Sequence, residues 1–114
     1  YVEVPHAGSL HFRLFGPEWF PLDAPRHVCT YSRRSLDALV ERTGFRLARL
    51  RCVSGSHSLR RSLAYRRRTR GKPPADWTNA KPVRRLLGVY TGLLDLVGRG
   101  DLMRVDAVRA PRAT

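Results

Sequence analysis

The sequence predicts an α/β domain, and three stretches carry that expectation. Residues 1–4, Tyr-Val-Glu-Val, alternate and are β-prone until Pro5 stops them. Residues 33–44 space their apolar side chains as a helix does and run through Gly44 into an alternating segment at 45–53. A second apolar stripe, Val83 to Val97, leads through a turn into a third alternating segment at 102–109. Strands interleaved with helices of this length form a sheet covered by helices.

The first strand ends at Pro5-His6. The chain begins inside that strand, so sequence ahead of Tyr1 is expected. Residues 7–31 form a long connection punctuated by Gly16-Pro17, Phe20-Pro21 and Pro25. Within it, Ser9 to Phe15 has the spacing of a short helix with Leu10, Leu14 and Phe15 on one face. Phe12, Phe15, Trp19 and Phe20 are expected to give the loop its own apolar cluster. A connection of this length in a compact domain is usually functional.

Ser32 is a good N-cap for the next helix, whose Leu36, Leu39 and Val40 fall at i, i+3 and i+4. Gly44 supplies a left-handed residue after the helix, and Phe45 is expected to fold back onto Val40. In the strand at 45–53, alternation places Ala48, Leu50 and Cys52 on one face and Arg49 and Arg51 on the other. One wet face suits a strand near a sheet edge. Residues 58–68 read as a helix with Leu59 and Leu63 inward, followed by a basic loop with a Pro-Pro break. Lys81-Pro82 opens the second strong helix, with proline where a helix start tolerates it. Its stripe of Val83, Leu86, Leu87, Tyr90, Leu93, Leu94 and Val97 is expected to be core or a face for a partner helix. Gly98 to Asp101 is a turn, Met103, Val105 and Ala107 share one face of the last strand, and 110–114 is a frayed tail.

Composition narrows the function. The chain has 114 residues, enough for one small domain, and a formal net charge of +13. Such a charge raises nucleic acid or an anionic surface as partner. All of the basic residues except Lys72 and Lys81 are arginine, however, which reads as the codon bias of a GC-rich genome. The densest basic run, Arg60 to Lys72, contains Tyr65 as its lone aromatic and fits no nucleic-acid motif. Membrane binding is not favoured either, since the polar side of the 83–97 stripe carries few bases beyond Arg84 and Arg85. No apolar run approaches the roughly 18 to 20 residues of a transmembrane helix, and the first residues do not look like a signal peptide. Cys29 and Cys52 can pair but make no disulfide framework, so a cytoplasmic location is expected. His27, Cys29, Cys52 and His57 lack metal-ligand spacing, and no metal is expected.

The first 52 residues carry a resemblance. Glu3-Val4-Pro5, Leu14-Phe15-Gly16, Trp19-Phe20, Leu22-Asp23-Ala24-Pro25-Arg26-His27, Tyr31-Ser32, Leu36 and Gly44-Phe45 resemble the C-terminal half of class I S-adenosylmethionine-dependent methyltransferases. The similar branch includes the quinone-biosynthesis and natural-product tailoring enzymes. Gly100-Asp101-Leu102 resembles that family's closing strand. Two positions depart from the pattern: His6 stands where asparagine is usual, and Ala24 where the first of two prolines is usual.

The resemblance implies a Rossmann-like seven-stranded sheet of which this chain supplies strands five, six and seven, the last antiparallel and inserted between the other two. Residues 1–53 would be the family-like strand-loop-helix-strand, 54–101 a basic loop and helical insertion, and 102–109 the closing strand. It implies transfer of a methyl group to an oxygen or nitrogen of a small-molecule acceptor. The family holds its cofactor with a Gly-rich turn after the first strand and an acidic residue after the second, and neither is present here. Most of the S-adenosylmethionine site is therefore expected upstream, in an N-terminal half this chain lacks, and the chain alone is expected to be inactive. The alternative is a non-enzymatic basic module that binds nucleic acid or an anionic surface.

Ligands of open α/β sheets bind beyond the carboxyl ends of the strands, which places His6 and the loop 7–31 at the rim. Methyl transfer needs alignment and, for a protonated acceptor, a base near neutral pH, a role that suits imidazole. His27, in the segment that matches the family, is the first candidate and His6 the second. Each has a plainer role as a structural histidine. Arg26 can bind a substrate carboxylate or phosphate, or pair with Asp23 or Glu18. Trp19 and Phe20 can line an acceptor pocket or pack the loop itself.

Overall fold

The computed structural model describes residues 1–23 and 25–111. Ala24 and the end of the expected tail, residues 112–114, lie outside the described residues. In chain order the elements are β1 (Val2–Pro5), α1 (Leu10–Phe15), 3-10 turns at Gly16–Glu18 and Phe20–Leu22, α2 (Arg33–Arg42), β2 (Phe45–Val53), α3 (Ser56–Thr69), a 3-10 turn at Asp76–Asn79, α4 (Lys81–Leu96) and β3 (Leu102–Arg109). The architecture is mixed α/β. The strands form one sheet in the order β1-β3-β2, with β3 antiparallel to both neighbours. That order and those directions are the ones expected for the three strands.

Helix α2 covers one face of the sheet. Ser32 begins it with a reciprocal capping box: its hydroxyl accepts from the Ser35 amide at 3.1 Å, and the Ser35 hydroxyl accepts from the Ser32 amide at 2.9 Å. Gly44, at φ +81°, takes the left-handed turn out of the helix. Leu36 and Val40 of α2 meet Met103 and Val105 of β3 in the buried core, and Val4, Tyr31, Leu47, Leu50, Cys52 and Ala107 pack around them. Full burial of one such side chain contributes roughly 1.5–3 kcal/mol. The opposite face is charged and wet. There Arg104 pairs with Glu3 across β1 and β3, and Arg49 lies opposite Asp106 across β2 and β3. Such a face suits a strand pair exposed on one side.

Several expectations need correction. Strand β2 does not alternate without a break: Leu47 lies opposite Ala107 and Arg49 opposite Asp106, so Ala48 is an extra, bulged residue. The bulge shifts the phase, and Leu47 rather than Ala48 joins the core. Phe45 opens β2 and is exposed rather than folded into the core around Val40. In α1 the buried residues are His11 and Phe15, while Leu14 is exposed. Helix α3 runs from Ser56 to Thr69, longer than expected at both ends, and Ser62 is its buried residue. Of the stripe expected on α4 as core or as a face for a partner helix, Leu94 is buried, beside Thr91, whereas Leu86, Leu93 and Val97, with Val89 and Leu96 next to them, face outward. The two cysteines are both free.

Candidate functional site

Pro5 and Val53 both lie opposite Leu102, so the ends of β1 and β2 and the start of β3 meet at one edge of the sheet. That edge is the carboxyl end of β1 and β2, and it holds a buried polar cluster. Asp101, 1% exposed, is its centre. Its carboxylate accepts from the Ser9 hydroxyl at 2.8 Å, from His11 Nδ1 at 3.0 Å and from the Trp19 indole N–H at 3.0 Å. Its amide donates to the Ser54 hydroxyl at 3.0 Å, and its carbonyl accepts from the His6 amide at 2.9 Å.

Burial works to raise the Asp101 carboxyl. The hydrogen bond and charge of His11 and the bond from Ser9 outweigh it and hold the group below the usual carboxylate value. Ser9 also caps α1 by accepting from the Phe12 amide at 3.2 Å, so one hydroxyl ties the helix start to the cluster. His11 is fully buried beside the rings of Phe15 and Tyr90, and among the described residues its Nε2 has no hydrogen-bond partner. Burial and the Asp101 charge push the Tyr90 phenol up.

His6 lies in the same cluster. Its Nδ1 donates to the Gly100 carbonyl at 3.0 Å, and Cys52 Sγ stands 3.8 Å from the same nitrogen. Burial pushes the Cys52 thiol up, which disfavours a thiolate. Asp95, at the end of α4, accepts from the Ser54 amide at 2.9 Å and from the Ser54 hydroxyl. A Cβ on Gly100 would stand 2.1 Å from Asp95 Oδ1 and 2.7 Å from Ser54 Oγ, so this crossing needs glycine. His6, Cys52, Asp95 and Arg33 line a cavity of about 340 Å³.

A larger cavity, about 440 Å³, lies between the aromatic loop and α3. Trp19, Phe20 and Leu22 form one wall, and Arg61, Tyr65 and Arg68 the other. The structure thus brings Trp19 and Phe20 to one cavity. Trp19 is also the partition between that cavity and the Asp101 cluster. Arg26 is exposed and pairs with Asp23 at 3.5 Å, the plainer of its two expected roles. His27 is exposed on the same loop, and its amide donates to the Asp23 carbonyl at 3.4 Å. Neither residue lines either cavity.

Comparison with known proteins finds no family profile, no curated protein and no solved structure that matches the chain. Function therefore rests on the site itself.

His11 and Asp101 were not foreseen as site residues. They stand 90 positions apart, and neither belongs to a local motif. The one local signal was a carboxylate between a glycine and an apolar strand. Among the described residues no Gly-rich turn joins a strand to a helix, the Asp101 carboxylate accepts from Ser9, His11 and Trp19, and Asp95 accepts from Ser54. Among the described residues, no group of three or more His, Cys, Asp or Glu side chains is placed to hold a metal. Among the described residues, no helix is long and apolar enough to cross a membrane.

Proposed function

We propose that this chain is the acceptor-side, C-terminal part of an S-adenosylmethionine-dependent methyltransferase acting on an oxygen or nitrogen of a small molecule. The observation that supports the reading is the strand order β1-β3-β2 with the last strand antiparallel between the first two. A late strand inserted this way is what the resemblance of residues 1–52 implies. In this reading Trp19 and Phe20 form the acceptor wall. His27, exposed on the same loop, is the base that takes the acceptor proton. His6, held by the Gly100 carbonyl, positions the start of the loop. In the same reading the cofactor is bound by residues outside this chain.

The reading frame ahead of Tyr1 gives the first test. A strand followed by a Gly-rich turn, roughly 80 to 100 residues upstream, supports the reading, because that length completes a domain of ordinary size. A frame without one overturns it. The second test uses the natural-length protein. His27→Ala should lower single-turnover methyl transfer by about 10² to 10⁴, the contribution of a positioned base. Its melting temperature should be unchanged, because the side chain is exposed. Normal turnover by the variant removes His27 from the chemistry.

The charge supports a second reading, a non-enzymatic basic module. Arg46, Arg49 and Arg51 are exposed along β2. Glu3 and Asp106 on the neighbouring strands interrupt that surface, which weakens it as a track for a phosphate backbone.

A further inference from the structure

The cavity between the aromatic loop and α3 has a charge imbalance that the methyl-transfer reading does not use. Glu18 at its rim is already neutralised: Arg66 Nε donates to it at 2.6 Å, and the Thr69 hydroxyl donates to its other oxygen. These two bonds hold the Glu18 carboxyl below its usual value, the hydroxyl contributing most. Asp23 is paired with Arg26. Among the described residues, neither Arg61 nor Arg68 forms a salt bridge. Both line the cavity, and with Tyr65 between them they occupy one face of α3 at i, i+4 and i+7. The Arg61 guanidinium lies 5.2 Å from the centre of the Phe20 ring, which holds it against the apolar wall. The result is a half-open slot with aromatic walls and two cations lacking acidic partners.

We propose that this slot binds a flat ring carrying a phosphate monoester. The ring lies against Phe20, Tyr65 and the Trp19 edge, and the phosphate sits between Arg61 and Arg68. A carboxylate is satisfied by one guanidinium fork. A phosphate monoester carries about −1.5 to −2 near neutral pH and three acceptor oxygens, so it matches two forks. The volume, about 440 Å³, is within the ordinary range for a small-molecule site. A nucleoside monophosphate and an aryl phosphate share this chemistry. A continuous nucleic-acid strand does not suit the slot, because the Glu18 and Asp23 carboxylates stand at its rim.

The test is calorimetric titration of the chain with 2-naphthyl phosphate, with adenosine monophosphate and with neutral 2-naphthol. At least one of the two phosphates should bind about tenfold or more tightly than naphthol, the lower end for charge-assisted bonds at a half-exposed site. Which of them binds better identifies the source. The Arg61→Gln/Arg68→Gln double variant should lose that preference, while Leu86→Glu on the outward stripe of α4 should keep it. All of these side chains are exposed, and circular dichroism verifies that each variant is folded. Equal binding of the phosphates and naphthol overturns the proposal, as does a preference that survives in the double variant. Displacement of the phosphates by a tighter-binding oligothymidylate also overturns it, in favour of a polyanion surface. The ring takes the Trp19–Phe20 wall that the methyl-transfer reading gives to the acceptor, so the proposal names the substrate class of that same site and rests on that reading for its role. None of these titrations involves methyl transfer. Loss of phosphate preference with normal turnover therefore overturns the slot alone, and phosphate binding without turnover overturns the methyltransferase reading alone.

Discussion

Asp101 shows how a single carboxylate can organise one end of a small protein. Its carboxylate receives donors from Ser9 and His11 at α1 and from Trp19 in the loop after it, its amide donates to Ser54 beyond the end of β2, and its low-lying carboxyl makes the side-chain contacts pH-dependent. A group whose carboxyl is depressed in the folded state adds stability above its unfolded value, about 3.9 for aspartate. That contribution is lost as pH falls through the folded value. Asp101→Asn should therefore cost about 2 kcal/mol near neutrality, the scale for a buried hydrogen bond to a charged group. It should also flatten the acid limb of the unfolding curve below pH 4. Urea melts at several pH values measure both effects, and an unchanged acid limb would show that the Asp101 carboxyl titrates alike in the folded and unfolded chain. Gly100 is the neighbouring constraint. Gly100→Ala forces Asp95 away from Ser54 and should cost about 1–3 kcal/mol, as overpacking does. A urea midpoint equal to that of the parent would mean the turn relaxes without loss.

Among the elements, legibility depended on whether the deciding interactions were local. Helix α2 was readable because Ser32, its apolar spacing and Gly44 all act within a few residues. The three strands were readable from alternation and their stop signals. The bulge in β2 was not, because a run of Leu-Ala-Arg-Leu fits two phases and only pairing with β3 chooses between them. The stripe of α4 was visible as a face, but periodicity does not report what covers a face. Of the site, the loop aromatics were foreseen and the His11–Asp101 pair was not, since its partners meet only through the fold. The bulge makes a direct prediction. Deleting Ala48 leaves Leu47, Arg49, Leu50, Arg51 and Cys52 in unbroken alternation. The deletion should change stability by less than about 1 kcal/mol, because the removed side chain is exposed. A collapse of the thermal transition would mean that the local twist of the bulge is required.

The molecule as a whole is extended for its length. Its Cα radius of gyration is 16.3 Å, against about 13 Å for a compact domain of this size. Its accessible surface is 8073 Å², against roughly 6,300 Å² for a folded monomer of this mass. With so little buried, the isolated chain should melt below about 45 °C, the lower end for mesophilic domains. Scanning calorimetry checks this, and a transition above 65 °C contradicts it. The same sample should bind S-adenosylmethionine weakly or not at all, and micromolar affinity by titration calorimetry would place the cofactor site within this chain. The strand order has a further consequence, in time rather than space. The middle strand of the sheet is the last to be synthesised. At roughly 5–20 residues per second, the stretch from Val53 to Leu102 takes on the order of 2 to 10 s to emerge. Through that interval β1 and β2 wait with no partner between them, two unpaired edges open to other nascent chains or to a chaperone. A chain stalled anywhere before Asp101 therefore lacks the strand that joins β1 to β2.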